Sequence, residues 1–349
     1  MRQLLVWQQA VRGRTFEHIV AHRLLRRFYR SSEASFRNFM ERIVVATLAL
    51  AYLHICHAEN ASVTEIIAYK GKIAESDIFM TLPEINGGIV GSYHYTRYGT
   101  TIPLRGSIEK NHITLTEKTA YSEAEITAEF NSRLIQGIWK SDKASHSFRA
   151  SALSKSYKNL IGGIDVFKNN ESTKIVITFI DGRSQAFEID TLTDTISIFF
   201  EDHNFDGLPD LRVLETSNGS NRTYIVWTYD PSKRAFEHSK EISMLSSPKV
   251  LHSEKAILSL SRDGCCRYIA SKSVGNEKHS AEYEYEYEYE YEYEYEYEYE
   301  YEYEYEYEYE KPRGVERVTN VRTNTTITNS ISQEEFEQKY LTPMGADGL

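Results

Sequence analysis

Ile78-Phe79-Met80-Thr81-Leu82, followed by Asn86-Gly87-Gly88 and then Ile89-Val90-Gly91-Ser92-Tyr93-His94-Tyr95, decides the fold class of this chain. Apolar or aromatic side chains alternate with small or polar ones on both sides of a turn signal. A period of two puts the large side chains on one face of a strand. Asn-Gly closes tight hairpins because the central turn residues need positive φ. Similar segments follow at Ile102 to Leu104, Ile113 to Leu115, Ile126 to Phe130 and Leu134 to Trp139. Starts recurring every roughly 8–12 residues, with no helix-period segment between them, imply an antiparallel meander curled into a barrel or half-barrel. Tyr93, Tyr95, Tyr98 and Trp139 read first as its core and second as the walls of a binding cleft.

A second β region runs from about Ser151 onward. Ile175 to Ile180, Asp181-Gly182 and Ser184 to Ile189 form a hairpin pattern, and Ile196 to Phe200 leads into an acidic loop. Leu211 to Leu214, Tyr224 to Tyr229, Ala256 to Leu260 and Cys266 to Ala270 continue the β pattern. Ser332-Gln333-Glu334-Glu335 is a capping box that opens one short helix reaching Tyr340. The chain is therefore all-β, with an antiparallel barrel-like domain over residues 62–150 and a second antiparallel β domain over 151–341.

Net charge is −11 for 349 residues, but it is unevenly spread. Residues 1–58 carry nine Arg against three Glu, and the run 282–310 holds fifteen Glu; the remainder has a net charge of only −2. No basic stripe or nucleic-acid-binding motif is present, so nucleic acid is excluded as an expected partner. Among three cysteines there is no CxxC and no zinc spacing. The adjacent Cys265 and Cys266 read either as two thiols, the favoured reading, or as a strained vicinal disulfide.

Met40-Glu41-Arg42 precedes the apolar run Ile43 to Cys56, which ends in His57-Ala58. A charged start, an apolar stretch and small residues at Cys56 and Ala58 make residues 40–58 a signal peptide with cleavage before Glu59. The run is shorter than the ~20 residues that span a bilayer, so no transmembrane helix is expected in the mature chain. Ile55 is too large for lipoprotein cleavage at Cys56. Residues 1–39 then read as an extension from a start codon assigned upstream, and the expected location is the periplasm.

The acidic loop is Asp202-His203-Asn204-Phe205-Asp206-Gly207-Leu208-Pro209-Asp210. Oxygen donors stand at positions 1, 3, 5 and 9, with glycine at 6. This spacing suits Ca2+, a hard cation that takes 6–8 oxygens. Asp202, Asn204, Asp206 and Asp210 are the expected side-chain ligands and Leu208 a main-chain one. Val213 stands where an EF-hand has its bidentate Glu, and the flanks read as strands, so the ion would close a β-turn. An Asp/Gly-rich surface turn is the bland alternative. His203 is expected to face solvent; Trp227 and Tyr229 are expected in the core.

Two resemblances add to these readings. Ile78, Met80, Leu82, Val90, Gly91, Tyr93, Tyr95, Gly99, Ile102, Leu104, Gly106, Thr114, Leu115 and Glu117 resemble a recurrent domain of exported bacterial proteins, which implies a fold and no chemistry. Phe200, Asp202 to Leu211, Gly219-Ser220-Asn221, Tyr224, Trp227, Tyr229-Asp230 and Phe236 resemble the family of periplasmic calcium-binding, propeller-like proteins. The characterised member of that family is an immunity protein against a peptidoglycan hydrolase delivered by a type IV secretion system. The resemblance implies a propeller-like second domain, bound calcium and a lysozyme-like hydrolase as partner.

Glu282 to Glu310 alternates Glu and Tyr without a break. As one strand it would reach about 95 Å at ~3.3 Å per residue, far beyond a compact domain. It reads as an expanded repeat inserted beside a strand, without function, or as a length-dependent surface adhesive. No HExxH, GxSxG, phosphate-binding loop or dinucleotide fingerprint occurs. The expected function is an exported calcium-binding inhibitor or immunity protein and not an enzyme. A structural or adhesive envelope protein and an unrecognised envelope enzyme are the alternatives.

Overall fold

The computed structural model describes residues 61–119, 123–131, 133–168, 172–219, 221–264, 266–275, 277–285 and 314–344. The signal-peptide reading, residues 1–39 and most of the Glu-Tyr run lie outside them.

Eight antiparallel strands form a closed barrel: β1 (Ala61–Ile73), β2 (Ser76–Ile85), β3 (Gly88–Tyr95), β4 (Ile102–Glu109), β5 (His112–Lys118), β6 (Glu123–Asn131), β7 (Leu134–Ser141) and β8 (Ser145–Ala152). Closure comes from β8 pairing with the second half of β1, Tyr69 opposite Ala152 through Ile73 opposite Phe148. Alternation sends Ile78, Met80, Leu82, Tyr93, Leu104, Ile113, Leu115, Ile126, Ile135 and Phe148 into the barrel, all buried. Glycine serves where a neighbouring strand's backbone leaves no room for a Cβ. A Cβ on Gly106 would lie 1.8 Å from the Thr114 carbonyl oxygen, and one on Gly71 would lie 2.2 Å from that of Arg149.

β1 is long because it joins two sections of one twelve-stranded hydrogen-bonded sheet, the barrel and a second, four-stranded sheet that continues it. Residues Glu65 to Ile73 pair with β2. Ala61 to Glu65 run parallel to the next sheet, Ala61 opposite Ile196 and Glu65 opposite Phe200. That sheet is a meander of β12 (Ile196–Glu201), β13 (Asp210–Asn218), β14 (Asn221–Asp230) and β15 (Ala235–His238). A three-stranded meander, β9 (Ile161–Lys168), β10 (Thr173–Phe179) and β11 (Ser184–Ile189), shares a core with it. Phe187 meets Trp227 edge-on at 5.0 Å, and Phe179 stacks on Phe236 at 5.9 Å. Trp227 and Tyr229 are thus core residues, as expected.

A third meander follows: β16 (Lys249–Leu251), β17 (Ala256–Asp263), β18 (Arg267–Val274), β19 (Glu277–Glu284), β20 (Gly314–Asn320) and β21 (Thr325–Ile331). Up-and-down meanders of this kind are the units of propeller-like folds. α1 (Lys240–Ser243) bridges the second and third sheets, and α2 (Gln333–Phe336) closes the C-terminal end. The expected capping box at α2 is present in both directions: Ser332 accepts from the Glu335 N–H, and Glu335 accepts from the Ser332 N–H.

Cys266 is disulfide-bonded, which corrects the thiol reading for that residue; Cys56 and Cys265 both lie outside the described residues. It lies between β17 and β18, two residues after Gly264, which has φ 76°. Among the described residues no helix is long and apolar enough to cross a membrane.

Candidate functional site: an oxygen-rich hairpin loop

Residues 202–209 close the hairpin between β12 and β13, whose last pair is Glu201 opposite Asp210. Strand flanks on both sides agree with the reading from sequence. Carboxylates at its start and end organise the loop through backbone N–H groups. Asp202 Oδ1 accepts from the Asp206 N–H at 3.1 Å, and Oδ2 accepts from the Gly207 N–H at 2.9 Å. Asn204 Oδ1 accepts from the same Asp206 N–H at 3.1 Å, so side-chain oxygens of Asp202 and Asn204 converge on one atom. The Asn204 amide donates to Asp206 Oδ2 at 3.0 Å, and Asp206 Oδ1 accepts from the Leu208 N–H at 2.8 Å. Gly207 takes the expected positive φ of 83°, and Phe205 also has a positive φ, 62°.

Asp210 is different. It is completely buried, and its two oxygens hold three backbone donors: His203 at 2.8 Å and Asn204 at 3.3 Å on Oδ2, and Tyr229 at 2.8 Å on Oδ1. Asp210 thereby pins the loop to β14. Asp202 is also buried, whereas Asn204 and Asp206 are exposed on the rim. Leu208 packs its side chain against the second core.

Burial pushes the Asp210 carboxyl up to about 7; the Tyr229 and His203 N–H groups oppose this, and the Asp202 and Asp206 charges add to it. Asp202 is raised too, by burial first and then by Asp206 repulsion, against the pull of the Gly207 N–H. The loop by itself is thus short of positive charge. Among the described residues no three His, Cys, Asp or Glu side chains form a ready-made metal group. Oxygens of Asp202 and Asn204 instead meet on one N–H, and the Asp206 carboxylate lies within hydrogen-bond reach of the Asn204 amide. A set of hard oxygens around an electrostatic deficit fits Ca2+.

His203 does not face solvent. Its ring is 1% exposed, and its Nδ1 lies 2.9 Å from the Glu201 carbonyl, which only accepts, so Nδ1 carries the proton. It belongs to a buried polar cluster beneath the loop that the sequence did not reveal. Glu201 meets His252 Nε2 at 3.2 Å and Arg212 at 3.6 Å. Burial opposes the Glu201 charge, yet the His252 hydrogen bond and the Arg212 and His203 charges hold its carboxyl at about 2. Burial keeps His203 neutral, lowering it to about 4 against the attraction of Glu201. Arg212 also donates to the Pro248 carbonyl at 3.1 Å, and Phe205 meets His252 edge-on at 6.0 Å. On its other side the Gly207 carbonyl accepts from the Lys155 N–H at 2.9 Å. The loop therefore touches the segment leaving the barrel, its own sheet, and the turn after β16.

No protein-family model and no curated protein matches the chain.

Proposed function

We propose that this chain is an exported, calcium-binding protein of the cell envelope that acts by binding a partner, a peptidoglycan hydrolase, and not by catalysis. The observation that carries the calcium reading is the crowding of Asp202, Asn204 and Asp206 side-chain oxygens, two of them on one N–H, in a hairpin loop pinned by buried Asp210. The side chains of Asp202, Asn204, Asp206 and Asp210 and the main chain of Leu208 would hold the ion. Bound there, calcium supplies charge compensation and a structural clip. The position of the loop, in contact with three parts of the fold, suits such a clip. Export rests on the signal peptide read at residues 40–58, and the hydrolase partner rests on the motif around residues 200–236.

Calcium should raise the Tm of the wild-type protein. Asp206→Ala, on the exposed rim, should fold and lose that shift; an undiminished shift refutes the placement. The partner is tested by pull-down and inhibition assays with muralytic enzymes, with and without chelator. Absence of both capture and inhibition removes the immunity reading and leaves the calcium reading standing.

A further inference from the structure

A second feature lies inside the barrel and shares no residue with the loop. Glu117, on β5, points into the barrel and is 5% exposed. It receives the Tyr93 hydroxyl at 2.7 Å and the Trp139 indole N–H at 3.0 Å, both on Oε2. Among the described residues these are its partners, and it enters no ion pair. A buried carboxylate is ordinarily paired with a cation, because desolvating an unpaired charge is costly. Glutamine would accept both hydrogen bonds without a buried charge. The two neutral donors therefore fix the orientation of Glu117 and place no cation beside it.

The register places this carboxylate near one mouth of the cylinder. Glu117 is opposite Ala124, which is opposite Ser141 at the end of β7, while Tyr93 is opposite Ile102 at the start of β4. Small eight-stranded barrels have room in such mouths for side chains or one small ligand. Further aromatic rings extend from its two partners. Tyr95 is half-buried, 5.6 Å edge-on from Tyr93 and 6.5 Å from Tyr98, which is 70% exposed. Half-buried Trp139 carries His146 stacked on it at 5.7 Å. The face of Tyr98 already attracts one cation, the Arg97 guanidinium at 5.6 Å. A carboxylate at a barrel end lined with aromatic rings combines the two features that attract organic cations, a counter-charge and π-systems.

We infer that the mouth of the barrel binds an alkylammonium group, with Glu117 as its counter-ion and Tyr95, Tyr98 and Trp139 as its walls. The ammonium N–H groups donate to the carboxylate while the alkyl part rests against the rings.

Isothermal titration of the full chain with n-butylammonium chloride tests this, with n-butanol as the neutral probe of the same shape. Saturable binding of the ammonium and none of the alcohol is expected. Glu117→Gln should weaken binding by about tenfold or more, the factor that corresponds to ~1.4 kcal/mol. Tyr98→Ala removes an exposed ring that the fold does not need, and should weaken binding about two- to fivefold. It remains informative if Glu117→Gln does not fold. The inference is overturned by no saturable binding to the wild type, by equal binding of n-butanol, or by unchanged affinity in a folded variant.

Discussion

Asp210 carries more of the loop's stability than any residue on its rim, because its oxygens satisfy backbone donors that water does not reach. Removing them leaves the His203 and Tyr229 N–H groups unpaired in the interior. Asp210→Ala should cost roughly 2–4 kcal/mol by urea unfolding in chelator. Exposed Asp206→Ala should cost well under half of that, and equal losses would contradict this division of roles. The same buried groups set the acid response. Glu201 titrates at about 2 in the fold against an ordinary 4.5, so between those values the unfolded chain binds more protons and stability falls as pH drops. His203, at about 4 against 6.5, acts in the same sense over its window. Asp210, raised from 3.8 to about 7, acts in the opposite sense and largely offsets His203. Without calcium, the urea midpoint should stay nearly level from about pH 7 to 4.5 and fall steeply below about 4. Glu201→Gln should flatten the lower limb; an unchanged slope assigns the acid loss elsewhere. The spacing Asp202, Asn204, Asp206 and the glycine turn were legible in sequence because loop chemistry is local. The buried side of the same loop was not. His203 is held by Glu201, which also pairs with Arg212 and His252, and no spacing rule foretells a contact 51 residues away.

At the scale of elements, legibility followed hydrophobic contrast. β2, β3 and the hairpin of β10 and β11 carry large side chains at every second position and were read directly. β8 was not, because its inward positions hold His146, Phe148, Ala150 and Ala152, with a single large apolar side chain among them. Yet β8 closes the barrel. β1 was not read either, and no alternation pattern can say that one strand has two sets of partners. The C-terminal segment shows the opposite case, in which a cap motif locates a short element whose worth lies in packing. Phe336 and Tyr340 are fully buried against the third sheet, Phe336 stacking on Tyr283 at 5.3 Å. The Tyr340 hydroxyl donates to Glu316 on β20 at 2.5 Å. Phe336→Ala should cost roughly 3–5 kcal/mol, while Ser332→Ala, which removes only the cap, should cost about 1 kcal/mol. Hydrogen exchange should show the first loss concentrated in β17 to β20; protection spread evenly over the barrel would mean that the third core is not a separate seat.

Across the whole molecule, the barrel, the second sheet and the third sheet are joined by few segments. β1 links the first two, and contacts around the 202–210 loop reach the third. The Glu-Tyr run enters this design at one hairpin. β19 and β20 are neighbours paired as far as Glu282 opposite Val315, and the 28 residues 286–313 connect Tyr285 to Gly314 at that end. The first tyrosine of the run, Tyr283, is buried in the third core, while Arg267 on β18 pairs with Glu282 at 2.6 Å. Strand-forming alternation at the root is therefore part of the fold. The cost of closing a loop grows with its length by about 0.6 kcal/mol per doubling. Replacing residues 286–313 with a four-residue turn, about three halvings, should stabilise the protein by roughly 1–2 kcal/mol. Calcium affinity and n-butylammonium binding should be unchanged, since both sites lie on other sheets. Extending the deletion back through Tyr283 should reverse the gain by emptying the third core. If the short-turn variant instead loses stability or calcium binding, the run is a structural element of this protein and not an insertion.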